Sequence, residues 1–141
     1  MEQTVYEKLA DVLDSLPNGF PRSESGVELD LLKKIFRPDE ADLFCSLKLK
    51  KETAAQVAAR TGHNPEELDK KLTSMWARGL VECDPSGKEK KYNLVPWILG
   101  IYELQLHNMD EEFARLHARY IKSVGPYFLS HTPQMMQVVP I

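Results

Sequence analysis

The feature that most constrains the fold of this chain is a pair of adjacent helix start signals near its middle. Thr53 can cap a helix N-terminus, with Gln56 three residues later returning the hydrogen bond, and Gly62 suits the end of that helix. Asn64 is a favoured N-cap residue, and Pro65 fits the first position of a second helix. The sequence therefore predicts two helices that are joined by a very short turn.

A β-hairpin is predicted directly after the second helix. The apolar positions of that helix recur with a helical period and are predicted to face the core; they are Leu68, Leu72, Met75 and Trp76. The helix is expected to end at Gly79, and two strand-like segments, 80–83 and 91–94, then flank a turn at 84–87. This order of elements is that of a winged helix-turn-helix. The predicted fold class is mainly α (α+β), with the hairpin as the wing and additional helices on both sides.

Similar signals predict the flanking helices. Thr4 with Glu7, and Ser25 with Glu28, have the spacing of capping boxes that open two helices in the first third of the chain. Pro38 fits the first position of a short helix that runs to residue 47. Residues 47–49 alternate in polarity and are expected to form a short strand that pairs with the wing.

The segment after the hairpin is predicted to be helical as well. Residues 96–106 are apolar almost all round, which favours a buried helix. Asp110 is expected to cap a last helix that ends at Gly125-Pro126. The predicted divisions are a helical extension at 1–37, the winged helix-turn-helix at 38–96, C-terminal helices at 97–126, and at 127–141 an extended tail leading to a downstream domain.

Composition excludes several classes of protein. The chain has 141 residues, of which 43% are hydrophobic and 28% charged, as in an ordinary soluble domain. Its longest apolar run, 94–102, is too short to span a bilayer, and acidic residues interrupt any signal peptide near the N-terminus. Two cysteines make no disulfide framework, so a cytoplasmic location without membrane contact is expected.

Charge gives a mixed indication for DNA binding. The candidate nucleic-acid contacts lie on the second helix and the wing; they are Lys70, Lys71, Arg78, Lys88, Lys90 and Lys91. However, the second helix begins with Glu66, Glu67 and Asp69, which repel phosphate. Residues 39–96 contain ten basic and ten acidic side chains, whereas DNA-binding domains are usually basic. DNA binding therefore remains an alternative rather than the first hypothesis.

Neither a metal site nor a catalytic site is predicted. Cys45 and Cys83 belong to no C-x-x-C pair, and the four histidines show no i, i+4 pairing. The chain contains no G-x-S-x-G sequence and no glycine-rich phosphate loop. We therefore expect no enzyme activity and no cofactor bound by this chain itself.

A family resemblance covers nearly the whole chain. Its most specific part is 16–29, Leu-Pro-Asn-Gly-Phe-Pro followed by Glu-Ser-Gly-Val-Glu-Leu at 24–29. Further matches are Leu32-Lys33, Phe36 with Pro38, Glu40-Ala41, Gly79-Leu80, Gly-Ile-Tyr-Glu-Leu-Gln at 100–105 and Val-Val-Pro at 138–140. These segments resemble the N-terminal region of bacterial and archaeal 4Fe-4S ferredoxin-type proteins. At the level of the fold, the chain is also similar to MarR-type regulators.

The resemblance implies an electron-transfer role for the parent protein. In the ferredoxin-type family this region is a winged-helix domain, and cysteine-rich cluster motifs follow it. The chain has none of those motifs, so the resemblance implies [4Fe-4S] clusters in a downstream domain and assigns no ligand here. The expected partners are that domain and a redox protein, with DNA as the alternative. A homodimer is also predicted, through the apolar faces of the first and last helices (Leu13, Leu16, Phe113, Leu116 and Tyr120).

Overall fold

The protein is mainly helical, with one small antiparallel sheet. The computed structural model describes the backbone of residues 4–131 and the side chains of residues 4–126. In chain order the elements are α1 (Val5–Ser15), α2 (Val27–Ile35), α3 (Pro38–Ser46), β1 (Glu52–Thr53), α4 (Ala54–Thr61), α5 (Pro65–Ala77), β2 (Glu82–Asp84), β3 (Lys91–Asn93), α6 (Tyr102–Leu104) and α7 (Glu111–His131). No helix within 4–131 is both long enough and apolar enough to cross a membrane.

The helices pack around one hydrophobic core. Helix α2 contacts both α1 and α7, and α1 also contacts α3. Helix α4 packs against α5. The core between the elements is formed by aliphatic and aromatic side chains, and its largest fully buried members include Trp97, Tyr92, Tyr120, Phe20, Phe36 and Phe44. Burial of such side chains is the main favourable contribution to folding.

The sheet contains the predicted hairpin and one additional strand. Its order is β1-β3-β2, with antiparallel pairs throughout. The predicted strand at 47–49 is wrong in position, because the strand that pairs with the hairpin is Glu52–Thr53. Lys48 nevertheless makes one backbone hydrogen bond to the segment after β3, because its carbonyl accepts the Leu94 N–H at 3.0 Å. Between Lys48 and β1, the backbone bends at residues 49–50.

Most of the predicted helix starts are confirmed. The capping side chains accept backbone N–H groups of the first turn in each case; they are Thr4, Thr53, Asn64 and Asp110. Pro38 occupies the first turn of α3, as expected. Each of these caps satisfies donors that have no partner within the helix.

One predicted cap is wrong. Ser25 does not cap α2, whose N-cap is Gly26 with φ +75°. The Gly26 N–H is instead bound by the Ser23 hydroxyl at 3.1 Å. Glu28, expected to complete a capping box, is fully buried and accepts hydrogen bonds from Arg22 Nε at 2.9 Å and from Ser23 Oγ at 2.5 Å. A tertiary ion pair has therefore replaced the local cap.

The predicted buried helix at 96–106 is also wrong. Ile98, Leu99 and Gly100 have non-helical backbone angles, and only Tyr102–Leu104 is α-helical. The irregular backbone is satisfied by side chains, because Asn18 Nδ2 donates to the Ile98 carbonyl at 3.2 Å and the Gly100 N–H donates to Glu103 at 2.8 Å. The apolar composition of this segment reflects two separate environments, since Trp97 and Ile101 are buried whereas Leu99 is 59% exposed.

The last helix begins as predicted but does not end as predicted. It runs through Pro126 to His131 instead of stopping at Gly125-Pro126. A proline inside a helix removes one backbone hydrogen bond, and this helix tolerates that loss. Of the predicted tail at 127–141, residues 132–141 lie outside the described part of the chain.

The apolar faces of the outer helices are largely covered within one chain. Leu13, Leu16, Phe113 and Tyr120 are all buried, and Leu116 is partly buried against the core. These side chains therefore pack within one chain and need no second protein molecule to cover them. The homodimer remains a prediction, but it needs a different surface from the one on which it was based.

Candidate nucleic-acid interface

An open groove of about 540 Å³ lies between the starts of α4 and α5 and the turn of the hairpin. Thr53 and Asn64 fix the two helix starts, because each side chain accepts N–H groups of its own helix. The groove is lined by Ala54, Ala55, Pro65, Glu66, Asp69, Lys70, Lys88, Glu89 and Lys90. This is where the sequence predicted contact with nucleic acid.

A chain of hydrogen bonds fixes the hairpin against α5 beside the groove. The Tyr92 hydroxyl donates to Asp69 Oδ1 at 2.9 Å, so its oxygen accepts from the Thr73 hydroxyl at 3.0 Å. Lys90 Nζ in turn donates to Thr73 Oγ1 at 2.8 Å. Burial, together with Asp69, raises the pKa of Tyr92 above its usual value of 10.0. Tyr92 therefore stays protonated, and Asp69 and Thr73 are engaged inside the protein.

Two of the predicted contact residues are held in ion pairs by α3. Lys71 Nζ lies 2.9 Å from Asp39 Oδ2. The Arg78 guanidinium pairs with Glu40, whose side chain is 3% exposed, and also donates to the Ile35 carbonyl. The Arg78–Glu40 pair joins the end of α5 to α3. Arg78 therefore has a structural role that its place in the sequence did not reveal.

Lys91 faces away from the groove. Successive side chains in a strand point to opposite faces of the sheet, and Tyr92 points toward α5. Lys91 therefore points to the other face, beside its cross-strand partners Thr53 and Asp84. The predicted contact residues are consequently not on one continuous surface.

Of the six predicted contacts, the structure brings three together at the groove: Lys70, Lys88 and Lys90. Three carboxylates line the same groove, those of Glu66, Asp69 and Glu89. Opposite charges in equal number leave no net attraction for a phosphate backbone beyond short range. The neutral balance that the sequence indicated for residues 39–96 thus extends to the groove itself.

The sequence reasoning overlooked a second group of lysines. Lys48, Lys50 and Lys51 lie in the loop before β1 and are exposed, and Leu49 between them is 53% exposed. The signal was present as the run Lys-Leu-Lys-Lys, which was interpreted as the start of a strand.

Part of the block with the most specific family resemblance packs inside the protein, whereas the matched segment 138–140 lies outside the described residues. Phe20 is fully buried against Trp97 and Tyr120, with ring centroids 5.1 and 5.0 Å apart. The Tyr120 hydroxyl donates to the Pro21 carbonyl at 2.8 Å. The block at 20–28 therefore connects the first loop to α7, a contact that a core requires irrespective of function.

A buried imidazole lies within the same aromatic cluster. The His117 ring stacks on Tyr102 with centroids 3.8 Å apart, and its Nε2 accepts the Trp97 indole N–H at 3.2 Å. Burial lowers the pKa of His117 to about 4. The ring is therefore neutral at physiological pH, with its proton on Nδ1. Its partners are aromatic side chains of the core, which indicates a packing role.

The cysteines show no sign of reactivity. Burial raises the pKa of Cys45 to about 11, and it also raises that of Cys83. A raised pKa lowers the fraction of the nucleophilic, metal-binding thiolate. Among the side chains of residues 4–126, no three His, Cys, Asp or Glu residues are grouped so that they could hold a metal ion.

Comparisons with protein-family models, with curated proteins and with solved structures found no match.

Proposed function

We propose that this chain is a non-catalytic winged-helix module that makes protein contacts within a [4Fe-4S] ferredoxin-type electron-transfer protein. The winged-helix assignment is supported by the order of α4, α5 and the β2–β3 hairpin, and by the pairing of β1 with β3. Its partner in that role is a ferredoxin-type domain of the same polypeptide or a separate redox protein.

Protein contact is favoured over DNA contact by one observation above all. Lys71 on α5 and Arg78 at the end of α5 pair with acidic side chains of α3. Breaking those pairs to reach a phosphate would leave Glu40 buried without its cation, which is costly. The groove that remains has no net charge.

The iron–sulfur part rests on the resemblance at 16–29 and at the further segments matched to the family. It is tested by expressing the uninterrupted reading frame that contains residues 1–141 and measuring bound iron and sulfide under anaerobic conditions. We expect residues 1–141 alone to bind no iron. We expect the uninterrupted protein to bind [4Fe-4S] clusters through closely spaced cysteines. A reading frame without a cysteine motif after residue 141 would contradict this part of the proposal.

DNA binding is the second candidate, because Lys70, Lys88 and Lys90 share the groove. It is tested by fluorescence anisotropy with labelled genomic duplexes at physiological salt. We expect weak, salt-dependent binding that falls further in the Lys70→Ala, Lys88→Ala double variant, since these exposed lysines are the groove cations outside the Tyr92 network. Lys71→Ala is the matched control, because Lys71 is paired with Asp39. Sub-micromolar, sequence-selective binding would make the regulator the primary function instead.

A further inference from the structure

The loop before β1 and the outer face of the sheet together carry several exposed lysines and one exposed leucine. We name this surface the β1 patch and define it as Lys48, Leu49, Lys50, Lys51 and Lys91. All five residues are exposed. They lie on the β1 side and the outer face of the sheet, whereas the groove lies on the α5 side.

The patch is more basic than its surroundings. Lys51 Nζ crosses the sheet to Asp84 Oδ2 at 3.3 Å. Among the described residues, Lys48, Lys50 and Lys91 take part in no ion pair within 4 Å. The neighbouring carboxylate of Glu52 is already bound by Arg60 at 2.7 Å. Three lysines thus remain available on a chain whose formal net charge is −3.

Lysines of the patch lower the pKa values of the two neighbouring carboxylates, those of Glu52 and Asp84. The pKa of Glu52 is lowered first by its hydrogen bond with Arg60, and Lys48 and Lys50 lower it further. The pKa of Asp84 falls to about 2, mainly through Ser86 and then through Lys51. Both carboxylates are therefore fully ionised at neutral pH. Glu82 adds a third carboxylate, because it lies two residues before Asp84 and on the same face of β2. The nearby cations, Lys48, Lys50, Lys51, Lys91 and Arg60, still outnumber these carboxylates.

The backbone that carries these side chains is held at both ends. The Lys48 carbonyl accepts the Leu94 N–H, and β1 begins at Glu52 and pairs with β3. A loop fixed in this way loses little backbone freedom when it binds a partner. Leu49 is presented from this fixed loop, between two lysines.

We propose that the β1 patch is a docking surface for an acidic protein that has an apolar side chain among its carboxylates. Carboxylates complement Lys48, Lys50 and Lys91, and an apolar side chain on the partner covers Leu49. A phosphate backbone offers no such apolar contact. A bilayer is disfavoured as well, because Leu49 is a single side chain and strong interfacial binding needs a whole apolar face. This inference does not depend on the iron–sulfur part of the proposed function.

The test measures binding of the chain to four labelled probes by fluorescence anisotropy or co-sedimentation. The probes are a random copolymer of glutamate and tyrosine, poly-L-glutamate, a short duplex DNA, and vesicles of phosphatidylserine and phosphatidylcholine. We expect the copolymer to bind most tightly, with an affinity that falls as salt is raised. Tighter binding to the duplex or to the vesicles than to the copolymer would overturn the proposal.

Variants assign the binding to the patch. K48E/K50E/K91E is expected to bind the copolymer about tenfold more weakly, as three exposed charge pairs are lost and repulsion replaces them. K48Q/K50Q/K91Q should lose affinity in the same direction but to a smaller extent, which keeps the test usable if charge reversal disturbs folding. L49S should remove the preference for the copolymer over poly-L-glutamate. An unchanged affinity in both triple variants would refute the assignment.

The matched control changes the same amount of charge elsewhere. R115E/R119E/K122E alters three exposed cations on α7. We expect its affinity for the copolymer to stay within about twofold of the original, because screening limits the effect of distant exposed charges. If this control weakens binding as much as K48E/K50E/K91E does, net charge rather than the β1 patch is responsible and the proposal fails.

Discussion

Acidification is expected to destabilise this protein through one buried imidazole, that of His117. The side chain is 6% exposed and stacks on Tyr102, and its Nε2 accepts the Trp97 N–H. A proton on Nε2 would remove that hydrogen bond and place a positive charge in a site without solvent. Burial is accordingly the cause of the low pKa of His117, about 4 in place of the usual 6.5.

The size of the effect follows from the difference between the two pKa values. In the unfolded chain His117 takes up its proton near pH 6.5, whereas the folded protein resists protonation until about pH 4. The stabilisation from the neutral ring is therefore complete above pH 6.5 and is lost as the pH falls toward 4. Because one pKa unit corresponds to about 1.4 kcal/mol, the total loss is about 3 kcal/mol, of which about 2 kcal/mol occurs between pH 7 and pH 5.

Urea unfolding followed by far-UV circular dichroism at pH 7, 6 and 5 measures this loss. His117→Phe keeps an aromatic ring at this position, but that ring cannot be protonated. At pH 7 the variant should have a free energy of unfolding about 1 kcal/mol lower than the original protein, because the Trp97 N–H is left unsatisfied. Between pH 7 and pH 5 its free energy of unfolding should fall by about 2 kcal/mol less than that of the original protein. His107→Phe, at an exposed position, is the control and should leave the pH dependence unchanged. Equal losses in His117→Phe and the original protein would refute the reasoning.

Three further predictions concern stability in urea at pH 7. Arg78→Ala should lower the free energy of unfolding by about 2 kcal/mol, because it leaves the Glu40 carboxylate buried without its cation. Arg78→Lys should recover part of that loss. A loss near zero in Arg78→Ala would show that the ion pair is not structural. Leu99→Gly should stabilise the protein by up to about 1 kcal/mol, because an exposed leucine at φ +64° is strained and glycine is not; a clear destabilisation would contradict this. Gly79→Ala should destabilise by about 2 kcal/mol, since φ is +77° and the new Cβ would lie 2.7 Å from Leu104 Cβ; an unchanged midpoint would disprove the close contact.

Local signals in the sequence were sufficient for most of the helix starts and for the hairpin. A cap such as Asn64 binds N–H groups two and three residues away, so all the residues that form these hydrogen bonds lie within the short sequence pattern. The same holds for the Thr53–Gln56 box and for the strands on both sides of the turn at 84–87. The mainly helical character and the small sheet follow from these elements.

The candidate site was predicted less well, because its charges are decided by distant residues. Lys71 and Arg78 look like exposed cations in the sequence, but their partners Asp39 and Glu40 are more than thirty positions away. Lys90 and Lys91 are neighbours in the chain, yet one bonds to Thr73 beside α5 and the other lies on the opposite face of the sheet. Residue type and spacing do not contain this information.

The two largest errors in the fold have the same physical origin. The run at 96–106 is apolar enough for a buried helix, but Asn18 and Glu103 satisfy its backbone in an irregular conformation. Ser25 and Glu28 have the spacing of a capping box, but packing buries the Glu28 carboxylate, which binds the partly exposed Arg22 instead. The sequence alone determined the hairpin and most of the helix caps, whose hydrogen bonds close locally and which packing did not override. Only the tertiary structure decided where side chains far apart in the chain meet, because such contacts depend on how the helices pack.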